Sequence, residues 1–185
     1  MANVQTLVHR NRAFASDFPA RNLPMMPKLG TLVLTCTDPR VDPAHFLGLE
    51  LGDAAVIRNA GARVTREVVR ELAILSFLAR RVTGADKVPV ELVIIQHNDC
   101  GAERLADPQV QAALQKNLGI DVSHTAISDH RASLREDVDR LRDAEQISND
   151  LVVSAFIYDV QDGSLGEVIA PAPLSAIQNK DGSAS

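Results

Sequence analysis

Five residues in this chain have the types and spacing of a metal centre with a charged pair beside it: Cys36, Asp38, Arg40, His97 and Cys100. Two thiolates and one imidazole suit zinc, and three protein ligands leave the fourth tetrahedral position to water, the arrangement of a catalytic site rather than a structural one. Asp38, two positions after Cys36, is the nearest candidate for a fourth ligand. Arg40 follows two positions later, so both side chains can emerge from one loop, and pairing with Arg40 would keep Asp38 off the metal. Gly101-Ala102-Glu103 reads as a helix start whose positive end favours a thiolate at Cys100. Taken singly, a cysteine is more often a buried core thiol; the combination is what points to chemistry.

Short apolar runs must position these residues. Thr31-Leu32-Val33-Leu34-Thr35-Cys36 reads as a buried strand followed by a loop, because Asp38-Pro39 blocks helix continuation. Ala54 to Ile57 and Leu92 to Ile95 are continuous apolar runs, expected as central parallel strands covered on both faces. Cys36 and His97 then stand at the C-terminal ends of two strands, where open α/β sheets place their ligands.

Thr65 reads as the N-cap of a helix running to about Arg81, with Glu67 complementing its dipole. That helix is apolar almost all round, which suggests contacts on two sides, for which a subunit interface is one explanation. Leu105 to Leu118 has helical periodicity, as do Leu134, Val138 and Leu141 after a Ser128 cap. Val152 to Val160 and Leu165 to Ala170, joined through Gln161-Asp162-Gly163-Ser164, read as a terminal hairpin. The expected fold is a single α/β domain over residues 1–185: a mainly parallel central sheet flanked by helices, with an antiparallel edge strand. An N-terminal helix is expected over about residues 3–16, and a peripheral tail over about 171–185.

Composition narrows the partners. A net charge of −5 opposes nucleic-acid binding, and aromatic residues at 3% leave few stacking platforms, so the substrate is expected to be small. The N-terminus lacks a secretory pattern and no apolar run is long enough to span a bilayer, so a cytoplasmic protein without a membrane partner is expected. His9, His45, His124 and His130 read as surface or helix-packing residues. Glu50, Asp53 and Asp99 read as loop charges or caps, and the series Arg63, Arg66, Arg70, Arg80 and Arg81 as a mostly solvated helix face.

Cys36-Thr37-Asp38-Pro39-Arg40 together with His97-Asn98-Asp99-Cys100-Gly101 resembles the paired motifs of the β-class carbonic anhydrases. The likeness continues through Val56-Ile57-Arg58-Asn59-Ala60-Gly61 and the helix after it, covers roughly residues 28–170, and is closest to the compact members of that family. The resemblance implies one zinc ion per subunit on Cys36, His97 and Cys100, a catalytic dyad of Asp38 and Arg40, and a substrate pocket beside Asn59, Ala60 and Gly61. It also implies dimers or larger homo-oligomers in which the helix from Val4 to Phe14 embraces a partner subunit. Pro39 departs from the small Ser or Ala more common there, and removes a backbone donor from the loop.

The implied reaction is reversible hydration of carbon dioxide to bicarbonate, with Asp38 orienting the nucleophile and Arg40 holding Asp38. Two thiolates offset the charge of Zn²⁺, so activity is expected to favour alkaline pH. Compact relatives that hydrolyse carbonyl sulfide or carbon disulfide share the ligand set and supply an alternative. A non-catalytic, zinc-stabilised module is the alternative of another class.

Overall fold

The computed structural model describes residues 3–178. Helix α1 (Asn3–Ser16) leads to strand β1 (Thr31–Cys36), the one-turn helix α2 (Pro43–Phe46), β2 (Ala54–Asn59) and a tight turn at Ala60–Ala62. Helix α3 (Arg66–Thr83), β3 (Glu91–His97), a 3₁₀ segment (Gly101–Ala106), α4 (Pro108–Leu118) and α5 (His130–Asp143) follow. The chain then forms β4 (Val152–Tyr158), β5 (Leu165–Pro173) and a last 3₁₀ turn at Leu174–Ala176.

The strands form one sheet in the order β2-β1-β3-β4-β5. The first four are mutually parallel, and β5 joins the edge antiparallel to β4. The expected mainly parallel sheet with an antiparallel edge is therefore present. Alternation along the strands sends Leu32, Leu34, Leu92, Ile94, Val153 and Ala155 into one core with Val68 and Leu72 of α3 and Leu134, Val138 and Leu141 of α5.

Several boundaries differ from the sequence reading. Strand β2 is an edge strand, with Val56 42% exposed; its apolar run marks a strand but does not count the strands beside it. The helix expected from Leu105 starts at Pro108, where Asp107 caps it by accepting from the Gln109 N–H. Asp129, not Ser128, caps α5, accepting from the Ala132 N–H. Pro171–Pro173, assigned to the tail from sequence, continue β5, and Leu174 is fully buried; residues 179–185 of that tail lie outside the described residues. Among the described residues no helix is long and apolar enough to cross a membrane.

Arg63 is not on a solvated helix face. It precedes α3, is 1% exposed, and donates from Nε to Asp137 at 2.8 Å, from Nη2 to Glu136 at 3.1 Å and from Nη1 to the Ala126 carbonyl at 2.6 Å. A guanidinium so placed is tolerable only because each arm meets an acceptor. The contact fastens α5 to the turn after β2.

Candidate metal centre

Cys36 is the last residue of β1 and His97 the last of β3, and these strands are parallel neighbours, so the sheet itself brings the two side chains to one edge. Cys100 follows on the loop leaving β3. That loop turns sharply at Asp99, whose φ is +52°. It is tied to β4 by Asn98, whose N–H donates to the Tyr158 carbonyl and whose Oδ1 accepts from the Val160 N–H.

The candidate donor atoms of Cys36, His97 and Cys100 lie within 4.8 Å of one another, and all three residues are buried. The two sulfurs are 3.8 Å apart. Two thiolates on a tetrahedral zinc, each at about 2.3 Å, stand about 3.8 Å apart, so the spacing matches. His97 Nδ1 is 2.9 Å from the Asn98 carbonyl, a backbone contact of the kind that leaves the other ring nitrogen available to a metal. His97 Nε2 is buried and has no hydrogen-bond partner among the described residues. A buried polar atom without a partner is costly, and a metal ion at this point would satisfy it. The donor set, the sulfur spacing and the orphaned nitrogen all fit zinc.

Asp38 and Arg40 meet as a two-pronged pair. Arg40 Nε donates to Asp38 Oδ1 at 3.0 Å and Nη2 to Oδ2 at 2.8 Å, while the Arg40 N–H donates to Oδ1 at 2.9 Å. Asp38 Oδ2 stands 4.0 Å from His97 Nε2, at the border of the three-ligand cluster. The other side of the Arg40 guanidinium donates to Asp99, from Nη1 to Oδ2 at 2.7 Å and from Nη2 to its carbonyl at 2.9 Å. Asp99, read from sequence as a loop charge, is thus the second anchor of Arg40.

The loop after β1 has a further brace. Arg58, on β2, donates from Nε to the Cys36 carbonyl and from Nη2 to the carbonyls of Asp38 and Val41, each at 2.8 Å. These bonds, with Val41 N–H to the Asp38 carbonyl at 3.1 Å, hold the loop around Pro39 without a donor at that position.

Asn59, Ala60 and Gly61 lie beside Cys36 in the order set by the β1–β2 register. Asn59 uses its side chain on the turn, exchanging hydrogen bonds with the N–H and carbonyl of Arg63. Ala60 is exposed. Gly61 donates its N–H to Cys36 Sγ at 3.4 Å with a φ of +76°, and an added Cβ would lie 2.8 Å from Ala102 Cβ and 3.0 Å from Ile127 Cδ1. Gly61→Ala is therefore expected to cost about 2–4 kcal/mol, summing the left-handed backbone penalty and the overlap. Denaturant unfolding of the two chains measures it.

Electrostatics follow from these contacts. Hydrogen bonds from Arg40 hold the Asp38 carboxyl well below the usual carboxylate range, outweighing burial, and the contacts with Asp38 and then Asp99 push Arg40 up. The Cys36 thiol is pulled down, first by its contact with Cys100 and further by the N–H groups of Asp38 and Gly61. Cys100 is pushed up by that same contact and by burial. His97 is lowered by burial but raised more by its contacts with Cys36, for a net upward shift.

The family profile described as Carbonic anhydrase matches residues 31–155. The β-carbonic anhydrase 1 of Mycobacterium tuberculosis is 34% identical over 164 residues, covering 85% of this chain and 93% of that protein. This chain belongs to the β-carbonic anhydrase family. A crystal structure of carbonic anhydrase from Streptococcus mutans superposes with a TM-score of 0.74 at 33% identity, covering 91% of this chain and 98% of the other. A carbon disulfide hydrolase of Saccharolobus solfataricus is also related, at 28% identity over 174 residues, covering 78% of this chain and 80% of that protein. Both kinds of relative match most of the length of this family member.

Arg58, Asp99, Glu103, His130 and the Arg63–Asp137 pair escaped the sequence reading. Arg58 and Asp99 sit inside the quoted motifs, which made them visible as letters but not as partners. Nothing in the spacing of His130 or Asp137 signals that α5 reaches the same edge of the sheet.

Proposed function

We propose that this chain is a zinc-dependent enzyme that reversibly hydrates carbon dioxide to bicarbonate. The observation that carries the reading is the buried Cys36, His97 and Cys100 cluster with Asp38 beside it, turned toward Arg40 by two parallel hydrogen bonds. Cys36, His97 and Cys100 would hold the ion, which when bound would supply an acidified water as the nucleophile.

Every other step belongs to this chain's side chains. Asp38 Oδ2 accepts the nucleophile's proton in a hydrogen bond and so aims its lone pair at the carbon of a linear substrate. Arg40 keeps Asp38 ionised and fixes its rotation, and Asp99 holds Arg40 from behind. The turn at Asn59, Ala60 and Gly61 walls the substrate's side of Cys36.

The Asp38 shift carries a pH consequence. A carboxyl whose folded pKa is depressed stays ionised above that value, and the stability it contributes is lost only as pH falls from the unfolded value, about 3.9, through the folded one. Asp38 is therefore charged throughout pH 5–9. A kcat/KM profile that rises toward alkaline pH should keep that limb in Asp38→Asn, at a lower level throughout; disappearance of the limb would assign it to Asp38.

A second reading, hydrolysis of carbonyl sulfide or carbon disulfide at the same centre, is favoured by the Saccharolobus relative. Stopped-flow hydration of carbon dioxide, run beside hydrolysis of both sulfur compounds with zinc measured in the same sample, decides. Faster turnover of a sulfur substrate replaces the first reading with the second. Full zinc occupancy with no turnover of any of them leaves a zinc-stabilised module.

The chain also reads as a homo-oligomer of two or more copies. Helix α1 buries no residue within the chain and exposes Val4, Leu7, Val8 and Phe14, and α3 exposes Ile74, Phe77 and Leu78. A reducing compartment such as the cytoplasm suits the centre, because both cysteines must stay free thiols to serve as ligands.

A further inference from the structure

His130 opens α5, far in sequence from every candidate ligand, yet its ring touches the segments that carry two of them, His97 and Cys100. Its Nδ1 is 2.8 Å from Gln96 Oε1, and Gln96 is the residue before His97 at the end of β3. Its Nε2 is 3.0 Å from Glu103 Oε1, the oxygen that also accepts the Cys100 N–H at 2.9 Å. One imidazole therefore spans the strand end that presents His97 and the turn that presents Cys100.

Helix α5 does not need this ring. Asp129 caps it, and its core contacts are made by Leu134, Val138 and Leu141. Ser133 Oγ supplies a second hydrogen bond to Gln96 Oε1 at 2.9 Å, so Gln96 keeps one partner if His130 is removed. Glu103 has no comparable substitute on the α5 side. Within this network the ring acts as a tie between the two ligand-bearing segments.

We propose that His130 is a positioning residue for the metal centre, setting Cys100 through Glu103 and the His97 strand end through Gln96. The inference rests on the zinc reading above. Partners that orient metal ligands are worth roughly 10–100-fold in affinity when they contact a ligand directly. His130 acts at one remove, so the lower end, about tenfold, is expected.

The test is zinc affinity by chelator competition on the full chain, wild type and variants, with the thermal midpoint of the metal-free protein recorded for each. His130→Ala should weaken zinc about tenfold with little change in the metal-free midpoint, and should alter the thiolate charge-transfer band of the cobalt-substituted protein. Glu103→Ala cuts the same tie and also frees the Cys100 N–H, so it should weaken zinc by at least as much. The double variant should lose less than the product of the two, because the two side chains share the His130–Glu103 contact. Ser133→Ala, which leaves the tie intact, should change affinity little.

Wild-type zinc affinity and an unchanged cobalt spectrum in His130→Ala would overturn the positioning role while leaving the metal centre standing. Full multiplicativity in the double variant would do the same. Failure of the wild-type chain to hold zinc would overturn the metal reading, and this inference with it.

Discussion

Asp38→Asn is expected to lower kcat/KM for carbon dioxide hydration by about 10³-fold while zinc content stays at the wild-type level, the combined scale of losing a positioned proton acceptor and its orientation. The substitution keeps the side chain's size but replaces one carboxylate oxygen by a donor. An amide cannot accept both parallel hydrogen bonds that Arg40 now makes to Oδ1 and Oδ2, so the group turns or the pair separates. Neither change removes a metal ligand. Zinc analysis and stopped-flow rates on one preparation separate the two effects. Normal turnover would remove Asp38 from the mechanism, and loss of zinc would make it a ligand.

Cys36→Ala is expected to abolish both zinc binding at stoichiometric metal and all turnover. Sites of this kind owe on the order of 10 kcal/mol to their ligands acting together. Deleting one of three removes a share that His97 and Cys100 cannot supply. The sulfur also accepts from the N–H groups of Asp38 and Gly61, both at 3.4 Å, so those donors lose their partner. Some loss of metal-free stability should accompany the loss of zinc. A variant that keeps one zinc per chain would show that a different residue completes the centre.

The parts of this molecule that could be read from its sequence are those governed by short-range rules. The β1 run ending at Cys36 and the β3 run ending at His97 carry their own apolar signal, and Thr65 caps α3 as its position implies. The parallel pairing of β1 with β3 then places Cys36 and His97 at the same C-terminal edge of the sheet. Sheet order is set by long-range pairing, which is why β2 read as central and proved to be an edge. The braces are equally non-local: Arg63 to Asp137, Arg58 to three carbonyls of one loop, and His130 to Gln96 and Glu103. Each depends on where α5 and β2 dock, and no periodicity reports docking.

The order of strands in the sheet has a consequence for how the protein matures. Cys36 leaves the ribosome first, and Cys100 follows 64 positions later, roughly 3–13 s at ordinary synthesis rates. Until β3 has paired alongside β1, Cys36 is a solitary thiol without His97 beside it. The Glu103 and His130 tie arrives only with α5, later still. The three candidate ligands therefore come together only once β3 has paired with β1, so a cation that meets Cys36 earlier finds one thiol and no pocket.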